Sequence, residues 1–197
     1  GCSGCHILCR KTGKDGKAIP EFEAMSHFTA LIGNSNIDLV MEANRICIET
    51  GMDTISAASA IACYMEVKNL SFPDINLIHL LNDIACSNGD GMLLKTGSKK
   101  TAEALGKPEM SMTVKGLELP AYDPRGAYGI SLAYITSTTG GCHTQANPVS
   151  FEILRKPAAV DRFTFTGKAR IIKLAEDLNA VIDSLTACRF IFFAATI

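Results

Sequence analysis

No stretch of this sequence approaches the roughly 18–20 consecutive apolar residues that a bilayer-spanning helix needs. The closing run, residues 190–197, is apolar but far shorter, and it reads as a buried segment. An excess of one charge is missing too. The chain carries 19 Lys+Arg against 20 Asp+Glu, a formal net charge of −1, which gives no basic footprint for nucleic acid. There is no initiator Met, and no basic n-region followed by an apolar h-region at the start. The opening residues therefore do not read as a signal peptide, and the expectation is a fragment of something longer. Strand-like alternation is scarce, and repeats and low-complexity tracts are absent. The 197 residues suffice for one domain or two small ones with a real core.

Cysteine, in contrast, is plentiful, with eight residues. A disulfide framework suits short, loop-rich secreted chains, and this chain reads instead as long amphipathic helices. Cys2, Cys5 and Cys9 crowd together in a stretch of Gly, Cys and Lys without periodicity, while Cys47, Cys63, Cys86 and Cys142 stand singly among apolar or small residues. Most of those four are expected to be small buried hydrophobes.

Around Pro20 the pattern changes. Pro20, Glu21 and Glu23 have the character of a helix start, with proline and acids in the first turn. Asn36 to Asp38 can cap a helix whose apolar positions Leu39, Val40, Ala43, Ile46 and Cys47 follow helical spacing and which Gly51 stops. A helix over Thr54 to Lys68 follows, then one over Leu77 to Cys86 with Asp74 as its expected cap, then a short one over Gly97 to Leu105. Met110 to Ala127 is loop-like; Gly129 to Tyr134 and Phe151 to Ile153 are ambiguous. Lys168 to Asp183 is helical, with Ile171, Ile172, Leu174, Ala175, Leu178 and Ile182 on one side. The expected fold class is mostly α, in two small helical domains over residues 1–112 and 113–197, the second incomplete.

Cys2, Cys5 and Cys9 form C-x2-C-x3-C. Three soft thiolates this close in a Gly-containing loop can wrap one metal centre, and an iron–sulfur cluster is the leading reading. The fourth ligand must then come from afar. Cys188 is the best candidate, at a helix end beside Arg189, whose charge favours a thiolate. A structural zinc site with His6 as substitute ligand, a dithiol pair at Cys2 and Cys5, and three unliganded cysteines stay open.

Several further segments carry a family resemblance. Gly1-Cys2-Ser3-Gly4-Cys5-His6-Ile7-Leu8-Cys9, Pro20-Glu21-Phe22-Glu23 and Gly51-Met52-Asp53-Thr54-Ile55-Ser56 lie in the first half. Leu119 to Gly126, Tyr134 to Ser137 with Gly141-Cys142-His143, and Asp183-Ser184-Leu185-Thr186-Ala187-Cys188 lie in the second. Together, in this order, they resemble domains 2 and 3 of the aldehyde:ferredoxin oxidoreductase family. The resemblance implies a [4Fe–4S] cluster on Cys2, Cys5, Cys9 and Cys188, and a tungsten (or molybdenum) bis-pterin held by Asp53 and Asp183. It implies Glu23 and His143 as catalytic residues, with a small aldehyde as substrate and ferredoxin as electron acceptor. It also implies a pterin-binding N-terminal domain outside this sequence, a cytoplasmic, oxygen-sensitive parent, and a homodimer as one admissible assembly; neither nucleic acid nor a membrane is an expected partner.

Each of these residues has a plainer reading. Asp53 can simply cap the helix from Thr54, and Asp183 carries the same ambiguity. Glu21 and Glu23 can be first-turn acids favoured by the helix dipole; Glu23 is preferred over Glu21 as the site acid. A histidine in a turn such as His143 is usually solvated, and Arg125 can be an ordinary surface ion-pair partner. His27 and His79 lie in helical patterns and receive no function. The functional expectation is a fragment of an aldehyde-oxidising enzyme, inactive alone. The alternative is a non-catalytic iron–sulfur electron-transfer or scaffold subunit beside a separate pterin-binding chain.

Overall fold

The computed structural model describes residues 2–196. Helix dominates, in ten α-helical segments with two small two-stranded sheets among the described residues. The mostly α fold class expected from the sequence is what the chain adopts. It divides into two compact units, Gly1–Thr113 and Val114–Ile197.

The first unit opens with an irregular loop from which a small antiparallel pair emerges, β1 (Lys11–Thr12) against β2 (Ala18–Ile19). Helix α1 (Phe22–Ser26) then runs directly into a π-helical turn, His27–Leu31. Helix α2 (Ile37–Thr50) starts where the Asn36 side chain accepts from the N–H groups of Asp38 and Leu39, satisfying two donors that a helix start leaves without an internal partner. It ends at Gly51, whose φ of 73° is left-handed.

Helix α3 (Thr54–Lys68) is the centre of this unit. Ala57, Ala58, Ala60, Ile61, Cys63, Met65 and Val67 are all buried, so the helix is apolar on several sides. That pattern belongs to a helix surrounded by protein rather than one lying on a surface. Its alanines let neighbours approach closely. The main core gathers Phe28, Val40, Ile61, Leu81 and Leu94 around it, and a smaller cluster joins Cys63 and Val67 to Ala102. Each fully buried side chain of the Ile or Leu type contributes roughly 1.5–3 kcal/mol.

Helix α4 (Leu77–Cys86) is capped by Asn76, which accepts from the His79 N–H at 3.0 Å. Asp74, the cap expected from the sequence, does something else: it accepts from the Ser71 N–H (2.8 Å) and hydroxyl (2.6 Å). A cap must stand immediately before the first helical residue to reach the second or third N–H, and Asp74 is too early. The short helices α5 (Gly91–Leu94) and α6 (Ser98–Ala104) complete the unit. No single helix among the described residues is long and apolar enough to cross a membrane.

Strand β3 (Thr113–Val114) pairs with β4 (Leu117–Glu118). The second unit then builds α7 (Tyr128–Thr136), α8 (Val149–Glu152), α9 (Lys168–Ser184) and α10 (Arg189–Thr196). Its core is small: Ala127, Ile130, Ala133, Tyr134, Ala146 and Ile172. The Tyr134 hydroxyl donates to the Tyr122 carbonyl at 2.9 Å, so the buried phenol is satisfied.

The apolar stripe of α9 splits. Ile172 and Ile182 are buried, whereas Leu174 and Leu178 are 60% and 41% exposed. They line a cleft of about 420 Å³ together with Phe151 and Phe192. Helix α9 packs chiefly on α7, which leaves these two leucines uncovered. Within the closing run expected to be buried, Phe190 and Ile191 are 54% and 53% exposed and Phe192 is half-buried. The side chains of residues 193–197 lie outside the described residues.

Candidate functional site

In the first unit, Cys2, Cys5 and Cys9 are free thiols on the irregular loop; Cys2 and Cys9 are exposed and Cys5 half-buried. The loop turns where the Cys5 N–H donates to the Cys2 carbonyl (3.1 Å), and Gly4 and Leu8 adopt left-handed φ of 72° and 49°. Among the described residues no three His, Cys, Asp or Glu side chains are gathered as a metal site. The donor set suits an iron–sulfur cluster chemically: three accessible thiols lie outside any helix or strand, on a stretch that can close around an incoming group. Cys188 belongs to the second unit and is a free, exposed thiol.

Asp53 caps α3, its Oδ1 accepting from the Ser56 N–H at 2.8 Å. Asp53 is exposed, and only its Oδ1 is engaged in the cap. Asp53 also acts on Cys47. Burial, with the negative charge of Asp53 added, pushes the Cys47 thiol up to about 12. Cys47 and Cys63 are buried, as expected for structural cysteines, whereas Cys86 is exposed and Cys142 half-buried.

Glu23 sits on α1 with only 18% of its side chain exposed. One turn on, the imidazole of His27 is 4% exposed, with Nδ1 3.5 Å from Glu23 Oε2. The same Nδ1 lies 2.8 Å from the Glu23 carbonyl. Glu21, the other acid considered, is exposed before the helix. His79 is exposed and lies 3.5 Å from Asp83.

In the second unit, His143 stands in the loop that joins α7 to α8. Its ring lies 5.3 Å from that of Tyr122, tilted by 30°. The loop is folded back tightly. Gly140 has φ 103°, and a Cβ there would lie 2.1 Å from the Val114 carbonyl oxygen, so only glycine fits. The Gly141 N–H donates to that same carbonyl at 3.2 Å. Gln145 closes the loop from the other side. Its Oε1 accepts from the Thr138 N–H (3.0 Å), and its own carbonyl accepts from Asn179 of α9 at 2.8 Å.

Beside His143, Cys142 has its sulfur 3.0 Å from the Thr144 hydroxyl. Burial pushes this thiol up. Hydrogen bonds from the Thr144 hydroxyl, from the backbone N–H groups of Thr144 and Gln145 and from Thr139 outweigh it and leave the thiol more acidic than usual.

Asp183 lies at the end of α9, where Arg189 grips both carboxylate oxygens, through Nε at 3.1 Å and through Nη2. The guanidinium that the sequence reading aimed at Cys188 is thus placed on Asp183. Arg125 pairs with Asp123, with Nε 3.0 Å from Oδ1, and holds that carboxyl below the usual carboxylate range.

Residues 1–196 match the family described as aldehyde ferredoxin oxidoreductase, domains 2 & 3. The chain belongs to that family. Among curated aldehyde ferredoxin oxidoreductases, the tungsten-containing protein of Pyrococcus furiosus is 37% identical over 98% of this chain and 35% of its own length. The corresponding protein of Thermococcus kodakarensis is 35% identical, again over 98% of this chain and 35% of its own length. That of Pyrococcus horikoshii is 35% identical over 88% of this chain and 32% of its own length. The chain therefore spans about a third of the length of the aldehyde ferredoxin oxidoreductases it matches.

Three features had no signal that reading along the chain could weigh. The buried pairing of Glu152 with Lys168 joins residues 16 apart. The Asn179 clamp on Gln145 spans 34. The acidity of Cys142 comes from the way its loop folds the Thr144 hydroxyl and the N–H groups of Thr144 and Gln145 onto the sulfur. His27 beside Glu23 did have a signal, the four-residue spacing that puts two side chains on one helix face.

Proposed function

We propose that this chain is the cluster-binding and pterin-holding part of a cytoplasmic oxidoreductase that converts aldehydes to carboxylic acids. The observation that carries this reading is the family match over residues 1–196. The names of the relatives add tungsten and ferredoxin to the proposal.

A bound tungsten (or molybdenum) bis-pterin supplies two-electron oxidation of the aldehyde, with a [4Fe–4S] cluster as the one-electron exit towards ferredoxin. The residues of this chain bind, orient and accept protons. Cys2, Cys5, Cys9 and Cys188 serve as thiolate ligands of the cluster. Asp53 and Asp183 accept hydrogen bonds from pterin N–H groups, Asp53 through the oxygen its helix cap leaves over. Glu23, mostly screened from water, accepts the proton that aldehyde oxidation releases. His143, on a loop pinned by Gly140 and Gln145, orients the substrate carbonyl; a group held this firmly loses little entropy when it engages.

One observation favours the second reading, a non-catalytic electron-transfer or scaffold subunit. Both oxygens of Asp183 are engaged by Arg189, so a pterin would have to displace a charge-assisted pair there.

Anaerobic reconstitution with iron and sulfide tests the central site. The expected result is about four irons and four sulfides per chain with a reduced-cluster EPR signal, altered or lost in Cys188→Ala. Zinc uptake without acid-labile sulfide would sink the iron–sulfur assignment. Uptake indifferent to Cys188→Ala would move the fourth ligand elsewhere.

A further inference from the structure

His27 is a buried titratable group to which the proposed chemistry gives no task. It is not placed as a filler. Its Nδ1 lies 2.8 Å from the Glu23 carbonyl oxygen, an atom that can only accept. Nδ1 must therefore carry the proton, and the tautomer is fixed by the backbone. With its proton so placed, Nδ1 also faces Glu23 Oε2 at 3.5 Å, with the imidazole 4% and the carboxylate 18% exposed. His27 keeps α-helical φ and ψ of −70° and −42°, which sets its ring one turn above Glu23, and a π-helical turn begins at this residue. Turns of that kind are uncommon and recur at functional sites, where they re-aim a side chain. Thr29 braces the turn, its hydroxyl donating to the Met25 carbonyl at 2.6 Å.

We propose that His27 is the positioning residue of Glu23: its Nδ1–H, locked by the Glu23 carbonyl, holds the Glu23 carboxylate in the one orientation from which it accepts the substrate's proton. This rests on the reading of Glu23 as proton acceptor. A carboxylate without such a partner samples several rotamers, and a misplacement of about 1 Å is enough to cost about a hundred-fold in rate.

The test has two arms. In the first, two-bond 1H–15N correlation spectra of this chain report the tautomer of His27 at neutral pH. A protonated Nδ1 is expected, and its resonance should move in Glu23→Gln. An unprotonated Nδ1, or a resonance indifferent to Glu23→Gln, overturns the proposal without any appeal to activity. In the second, aldehyde oxidation by the complete enzyme is followed in His27→Ala, His27→Asn and His27→Gln at matched metal content. Asn carries its amide N–H near the place of Nδ1, whereas Gln carries it near that of Nε2. The expected pattern is a fall in kcat of about ten-fold or more in Ala and Gln at unchanged KM, with Asn recovering to within about three-fold of the parent. Equal losses in all three variants, or losses confined to KM, overturn it. If Glu23→Gln oxidises aldehyde at the parental rate, the reading of Glu23 itself falls; if Glu23→Gln is impaired while His27→Ala is not, only the role of His27 falls.

Discussion

Cys142 and Cys47 show how far one residue type can be driven apart within a single chain. Cys47 is sealed in the core, and its thiol is pushed up to about 12. Cys142 is half-buried, yet hydrogen bonds led by the Thr144 hydroxyl hold its thiol below the ordinary cysteine value. Because the thiolate is the nucleophile, a lowered pKa moves the alkylation profile towards acid. Iodoacetamide should modify Cys142 in the native chain with an inflection at lower pH than the same cysteine in urea. Thr144→Val should shift that inflection back up, and mass spectrometry of the tryptic peptide reads it. Native Cys47 should stay unmodified throughout. At this scale the sequence was informative where the chemistry is local. The Asp53 cap and the turn position of His143 both involve neighbours in the chain. The Asn179 clamp was not legible because it spans 34 residues, and the Arg189 grip on Asp183, six residues apart, was not because it depends on the turn between α9 and α10.

Helices announced themselves by their ends. Asn36, Asp53 and Gly51 are residues whose chemistry terminates or starts a helix: α2 begins after Asn36 and ends at Gly51, and α3 begins after Asp53. Helix α7 lacks such a signal: Ala127 precedes it without a side-chain cap, and Gly129, Ile130, Ala133 and Tyr134 are all buried. Leu132 and the exposed Ile135 lie off that buried face, so apolar residues run round the helix and the stripe does not stand out in the sequence. The double role proposed for Asp53 can be separated at this scale. Asp53→Ala should lower the stability of the first unit by about 1 kcal/mol through the lost cap, while Asp53→Asn should leave it nearly unchanged. Urea denaturation followed by circular dichroism measures both. Should Asp53→Asn also fail to retain pterin in the complete enzyme, the carboxylate is needed beyond its cap; full retention would confine Asp53 to α3.

The second unit as a whole is tied together by one carboxylate. Glu152 has a fully buried side chain, with Oε1 accepting from Lys168 Nζ and from the Gly129 N–H at 2.8 Å. Lys168 in turn donates to the Asp161 carbonyl at 2.8 Å. Residues from α7, α8, the following loop and α9 thus meet at one point. Oε2 of Glu152 is buried without a hydrogen-bond partner among the described residues, which marks the arrangement as costly to maintain. Removing one charge strands the other. Glu152→Met or Lys168→Met should destabilise this unit by about 3–5 kcal/mol, and the double variant Glu152→Met with Lys168→Met should recover much of the loss. A double-mutant cycle from thermal or urea unfolding checks this. Losses that merely add would mean that the two charges do not depend on each other.

Glu152 also has a consequence for how the second unit is assembled. A chain made from its N-terminus produces α7 and α8 well before Lys168 exists, and until then the carboxylate has no cation to meet. Any partly built form must keep Glu152 in water, and the turn that carries it then stays away from the small core of Ile130, Tyr134 and Ile172. The arrival of α9 supplies the ammonium group and the largest apolar face together, so neutralisation and burial are completed in the same event. Burial of Glu152 is thereby coupled to the docking of α9, the helix that carries its cation.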